Sequence, residues 1–239
     1  MIPIYDTVPS RSKPLITRLL VLINVMAFFY ELGLSDRKLF EFFILYGLVP
    51  AKYTVDHISE QFPLYYKIVP FFSSAFLHGG WLHLLGNMIT LWIFGDNVED
   101  RMGRPLFLAF YLVMALFSGV AQIASNPMSE TPIIGASGAV AGVMGAYLVM
   151  FPHSRVILAV PIFFFIDFWE VPAPVFFLIW FLIQFFSGAM GLLSGGESLG
   201  GIAWWAHIGG FVGGMIAGLF FRQKPKIKGA TEIVEIPWD

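Results

Sequence analysis

Long apolar runs almost free of charge recur along this chain, and few folds can accommodate them. A helix that crosses the hydrocarbon core of a bilayer needs about 20 mostly apolar residues. Stretches of that kind cover residues 15–34, 81–97, 105–125, 136–151, 171–193 and 202–221. The remainder of the composition agrees with this reading. Apolar residues make up 57% of the 239 and charged residues only 13%, against about 25% charged in soluble domains, too few to cover a wetted surface. A net charge of −2 leaves no basic excess for neutralising phosphates, so nucleic acid is not an expected partner. With no cysteine in the chain, disulfides, thiolate catalysis and Cys-based metal sites are excluded.

The expected fold is therefore all-α: a polytopic bundle of six membrane helices over residues 15–221, preceded by a segment 1–14 and followed by a polar tail 222–239. The first run continues into Glu31 and Asp36–Lys38 with no small-x-small site after it, unlike a cleavable signal peptide. Residues 35–80 read as a long interfacial loop with amphipathic stretches, and Val156–Phe165 as an apolar stretch too short to cross alone. Six spans put both termini on one side. With the termini inside, ten of the fourteen Lys and Arg fall on inner segments, and the other four, Arg37, Lys38, Lys52 and Lys67, all lie in the first outer loop. This is the positive-inside pattern. It predicts cytoplasmic termini, with the basic tail from Arg222 to Lys228 held at the inner surface, and a plasma membrane is the expected location.

Polar groups inside spans are expensive and invite a functional reading. The second span carries His83 and Asn87, four residues apart and so on one helical face. The fourth opens with Gly135-Ala136-Ser137-Gly138, and the sixth carries His207 followed by paired glycines. Even-numbered spans run from outside to inside, so these groups share one layer just below the outer surface. Gly86, Gly138, Gly142, Gly210, Gly214 and Gly218 would let the three helices approach closely.

Serine needs an adjacent base to become a nucleophile, for which histidine is the usual partner, and acyl transfer needs donors aimed at an oxyanion. Ser137 and His207 supply the first pair. His83, Asn87 and the free Ser137 backbone N–H at a helix start supply the second set. The fourth and sixth spans contain no Asp or Glu, so a Ser–His dyad is expected rather than a triad. Each residue alone has a blander reading. Ser137 could be a small packing residue, Asn87 an interhelical hydrogen-bonding group, and His207 a core histidine or part of a proton path. His78 at the interface reads as structural or substrate-contacting.

The chain resembles the rhomboid intramembrane serine proteases from about Ile68 to Phe221. The resemblance rests on His83-x-x-x-Asn87, Gly135-Ala136-Ser137-Gly138, Glu99-Asp100-Arg101-Met102-Gly103 and His207-x-x-Gly210-x-x-x-Gly214, each on its expected helix. It implies a six-helix rhomboid-like core with Ser137 as nucleophile, His207 as base, and His83 and Asn87 in the oxyanion hole. It also implies transmembrane-protein substrates cut in or near their membrane segments, with small residues preferred at the cleavage site. No cofactor or metal is expected. Two positions depart from the family pattern: Val69-Pro70 stands where many members carry Trp-Arg, and Ala141 where some place a Tyr that stacks on the catalytic His. A ring such as Phe211 or Trp204 is the expected substitute.

On this reading a substrate helix enters past the Phe-rich fifth span and unwinds near its outer end, with Ser194–Gly201 as a mobile cap. Two alternatives use the same residues. One is a small-solute transporter lined by His83, Asn87 and His207, which lacks the carboxylates usual in proton coupling. The other is a non-catalytic relative that binds transmembrane helices without cutting them, although this chain retains both Ser and His.

Overall fold

The computed structural model describes residues 2–162, 164–193 and 203–222. A short strand, β1 (Ile2–Asp6), leads into the first long helix, α1 (Leu15–Leu32), which ends at Gly33. The loop that follows folds into small helices rather than open chain. It contains α2 (Asp36–Tyr46), α3 (Ala51–Thr54), α4 (Asp56–Ser59), α5 (Tyr65–Ile68), α6 (Pro70–Ser73) and a 3-10 turn at Ser74–Phe76. Pro70 opens α6, where a missing N–H and a fixed φ cost nothing.

Two 22-residue helices follow, α7 (Trp81–Met102) and α8 (Arg104–Ser125). Between them Gly103 takes a φ of +82°, a region that glycine enters without a Cβ penalty. Next come α9 (Ser137–Met150), two strands β2 (Arg155–Ile162) and β3 (Phe165–Pro172), α10 (Ala173–Leu193) and α11 (Trp204–Leu219).

Helices thus stand at all six expected places, and length and apolarity by themselves identify three or four of them as crossings. Among the described residues, three helices meet the requirement alone: Leu15–Leu32, Arg104–Ser125 and Ala173–Gly191. A fourth crossing exists only if Tyr65–Phe76 and Trp81–Met102, bent by 80°, count together. At 1.5 Å per residue, the 14 residues of α9 reach only about two thirds of a hydrocarbon core of about 30 Å.

The all-α expectation needs one correction, because β1, β2 and β3 form a three-stranded antiparallel sheet in that order. Val156, Leu158 and Val160 are buried while the residues between them are not. This is the period-two alternation of a half-buried strand. Measured only against the length of a span, the same stretch reads as an incomplete crossing.

The core is built around α9, which is apolar on every side and buried along nearly its whole length, as expected of a helix with neighbours all round. Its tightest partner is α11, where glycines let backbone meet backbone. An added Cβ would lie 2.0 Å from the Gly138 carbonyl oxygen at Gly210, and 1.9 Å from that of Gly142 at Gly214. From the other side, a Cβ on Gly145 would lie 2.1 Å from the Phe211 oxygen. A Cβ on Gly218 would lie 3.0 Å from the Ala146 Cα. Gly86 differs from the expectation, since nothing lies within 4 Å of its Cβ position. It borders a cavity instead.

Buried carboxylates tie the helices at their ends. Glu99 accepts the Ile16 N–H at 3.0 Å and the Thr17 N–H and hydroxyl at 2.8 Å each, satisfying donors that the start of α1 leaves without helical acceptors. Glu31, near the other end of α1, accepts the His78 N–H ahead of α7 at 3.2 Å. Asp6 accepts from the Tyr147 hydroxyl and the Asn97 amide, fastening the sheet to α9 and α7. The loop is held by the Leu48–Ile133 bridge and by the Gly135 N–H on the Ser74 oxygen at 2.8 Å.

Two expectations follow. Gly214→Ala places a methyl against a backbone oxygen that cannot turn aside, so overpacking of about 3 kcal/mol lowers the unfolding midpoint in detergent. Lys52 is fully buried, with its ammonium on the Ile44 carbonyl and 4.2 Å from the centre of the Phe62 ring. Burial lowers its pKa to about 8, against about 10.4 in an unfolded chain. Between those values the unfolded chain binds more protons, so stability rises with pH. Thermal unfolding from pH 8 to pH 10 shows this rise in the native chain relative to Lys52→Met.

Candidate active site

The four sequence-derived residues arrive at one place from three helices. Ser137 is the first residue of α9, so its N–H and those of the next residues have no helical acceptor. The loop before it is held in shape by Gly135, at a φ of +122°. His207 lies one turn into α11, and the Gly210–Gly138 contact sets its height against Ser137. The His207 Nε2 stands 2.7 Å from the Ser137 Oγ, the distance of a formed hydrogen bond.

His83 and Asn87 project from the first two turns of α7 into the same space. A Cβ on Gly135 would lie 2.5 Å from His83 Nε2 and 3.6 Å from Asn87 Nδ2, so both nitrogens converge on the chain just ahead of the serine. The Asn87 amide is held by His78, whose Nε2 lies 3.0 Å from Asn87 Nδ2. Because the amide nitrogen donates, that ring nitrogen accepts. His78 also packs edge-on against His83, with ring centres 5.1 Å apart. Its role is therefore support, reached through a backbone that Glu31 anchors.

Between these groups lies a cavity of about 720 Å³, lined by His83, Asn87, Ser137, Trp180, Gln184 and His207 among others. Its polar lining comes from α7, α9, α10 and α11. The Ser194–Gly201 link falls outside those residues.

Two lining residues are not among those expected from the sequence. Gln184, buried on α10, places its Oε1 2.7 Å from His207 Nδ1. It occupies the inward stripe with Ala173, Phe177 and Gly188, where a lone amide among apolar neighbours is the available signal. It is neither ionisable nor part of a family motif, so it does not stand out. Trp180 provides the ring nearest the expected stacking position, its centre 6.2 Å from that of His207 at an interplanar angle of 36°. Trp204 meets the histidine edge-on at 6.3 Å. Phe211 packs on Trp180 at 5.5 Å and serves the histidine indirectly. The place left by Ala141 is thus served from α10.

Gly135→Ala tests the approach to the serine. It strains a left-handed backbone by about 1–3 kcal/mol and drives a methyl into His83. Loss of thermal stability together with displacement of the His83 ring resonances is the expected result.

Comparison with known proteins bears on the family of the chain. A family model described as the Rhomboid domain matches residues 66–224. The yeast mitochondrial Rhomboid protein 1 (Saccharomyces cerevisiae) is 29% identical over 164 residues, covering 66% of this chain and 43% of that protein. The Rhomboid-like protease 5 of Toxoplasma gondii is 31% identical over 150 residues, covering 61% of this chain and 15% of its own length. A putative rhomboid protease of Bacillus subtilis is 31% identical over 78 residues, covering 33% of this chain and 39% of the relative. In each of these relatives the match spans less than half the length. The chain is an integral membrane protein that belongs to the rhomboid family.

Proposed function

We propose that this chain is an intramembrane serine protease that hydrolyses peptide bonds in or near the membrane segments of other proteins. The observation that carries the reading is the 2.7 Å contact between Ser137 Oγ and His207 Nε2, facing a cavity enclosed by apolar helices. In this reading Ser137 is the nucleophile and His207 the base. His83, Asn87 and the Ser137 N–H form the oxyanion hole.

The chemistry follows from the arrangement. Ser137 Oγ attacks the scissile carbonyl carbon while its proton passes to His207 Nε2. The carbonyl oxygen takes up negative charge beside the α9 N-terminus, where free N–H groups and the helix dipole favour an anion. When the C–N bond breaks, His207 returns the proton to the leaving amine, and an acyl-enzyme on Ser137 remains. Water, deprotonated by the same imidazole, releases the new carboxyl terminus.

A membrane helix hides its carbonyls in its own hydrogen bonds, so the substrate must unwind before it can react. The short α9 suits this need. Its first residue, Ser137, lines the cavity, which offers room for water and an extended segment. Entry past α10 is the lateral route, since its apolar window is only 22% buried, the least of the three long spans. Six crossings with both termini on the inner side and the cavity toward the outer side agree with the Lys and Arg distribution, and a plasma membrane is the location proposed with them.

Detergent-solubilised chain treated with a fluorophosphonate probe tests the reading. The native chain labels, and Ser137→Ala and His207→Ala each reduce labelling by about 1,000-fold or more while unfolding at the native temperature. A folded native chain that neither labels nor cuts a transmembrane reporter overturns the proposal.

A further inference from the structure

The dyad lacks a carboxylate to orient its base, yet both nitrogens of the His207 ring are engaged. For Nε2 to accept the Ser137 proton, Nδ1 must carry the other hydrogen. That hydrogen needs an acceptor in an apolar interior, because an unpartnered buried donor costs about 1–3 kcal/mol. Gln184 Oε1 lies 2.7 Å from Nδ1, and Gln184 is itself buried.

Resting on the protease reading above, we infer that Gln184 is the positioning residue of His207, and that the reactivity of Ser137 depends on α10 being docked against α11. The amide oxygen selects the tautomer that leaves the Nε2 lone pair facing the serine. It continues to accept from Nδ1–H when the ring becomes imidazolium, so one contact serves both states of the cycle. A neutral amide also avoids burying a carboxylate beside the base.

The consequence reaches beyond one side chain. Ser137 and His207 belong to α9 and α11, whose backbones touch through glycine and hold their spacing as a unit. Gln184 belongs to α10, whose remaining surface is largely exposed. One turn beyond it, Gly188 is where α10 meets α11, and a Cβ there would lie 3.2 Å from both Trp204 Cβ and Trp205 Nε1. Outward movement of α10 on that side withdraws the acceptor from Nδ1. Admission of a substrate past α10 and activation of the serine are then opposed, and acylation follows the return of α10.

Three variants test this in detergent, with Ser137→Ala as the inactive reference. Gln184→Met keeps the shape and removes the acceptor. It lowers kcat on a transmembrane reporter by about 10- to 100-fold with KM changed less than twofold, and the ¹⁵N signals of His207 move from one tautomer toward a mixture. Gln184→Glu restores an acceptor oxygen and recovers at least a third of the native labelling rate at a pH where it is ionised. Gly188→Leu wedges α10 from α11 without touching the dyad, and slows fluorophosphonate labelling at least fivefold.

Native kcat and an unchanged tautomer signal in Gln184→Met overturn the role of Gln184. Unchanged or faster labelling in Gly188→Leu overturns the dependence on docking. If the native chain itself neither labels nor cuts, the protease reading fails before the variants are compared. A Gln184→Met chain that unfolds below the assay temperature assigns the side chain a structural role only, and that result also overturns the inference.

Discussion

Backbone contact between α9 and α11 is the constraint from which the candidate site follows. Side chains normally keep helix axes 8–10 Å apart, but here glycines at 145, 210 and 214 bring carbonyl oxygens to where a Cβ would stand. Dispersion and weak Cα–H contacts replace side-chain interdigitation. Such an interface has little freedom to slide, because each glycine faces a specific carbonyl. Ser137 at the start of one helix and His207 one turn into the other therefore meet at a hydrogen-bonding distance set by backbone rather than by flexible side chains. A reactive pair in an apolar interior benefits from that rigidity, since productive geometry tolerates only small displacements.

Around this pair the polar groups answer a second constraint, that a membrane interior offers no water to satisfy them. Glu99 closes the open start of α1, Glu31 closes the turn ahead of α7, and Asp6 receives Tyr147 and Asn97. Each carboxylate sits where one element begins or joins another, where backbone donors are in surplus. The Glu99-Asp100-Arg101-Met102-Gly103 motif thereby gains a physical meaning. Its first residue supports α1, and its last provides the left-handed turn that lets α8 begin. The aromatic environment of His207 follows the same economy, with Trp180 and Trp204 beside the ring and Phe211 packed on Trp180.

Much of this arrangement is legible in the amino-acid sequence. The starts of α1, α7, α8, α9 and α10 fall within two residues of the apolar boundaries, because Pro14, Gly80, Gly103 and Pro172 punctuate the chain. The residues on three different helices that line one cavity stand out because polar groups in apolar runs are rare. The features that do not stand out have definite physical causes. The strand at 155–162 is apolar enough to resemble part of a span, and its alternation matters only once β1 arrives from the opposite end of the chain. Trp180 and Gln184 sit on a helix with no family motif, and their value appears only when α10 lies against His207. Gly86 shares the spacing of the packing glycines but faces open space, a distinction that depends on which side of α7 meets a neighbour.

By itself the sequence determined that this chain lives in a membrane, which segments are apolar, and which few polar residues those segments contain. These follow from composition and local pattern, because the transfer free energy of each residue is its own property. Tertiary structure alone decided that Ser137 and His207 touch, that an amide on α10 receives the second histidine nitrogen, and that the N-terminal strand joins a sheet with residues more than 140 positions away. Those contacts depend on the relative heights and rotations of helices distant in sequence. They arise from the summed packing of many neighbours, which no local pattern encodes.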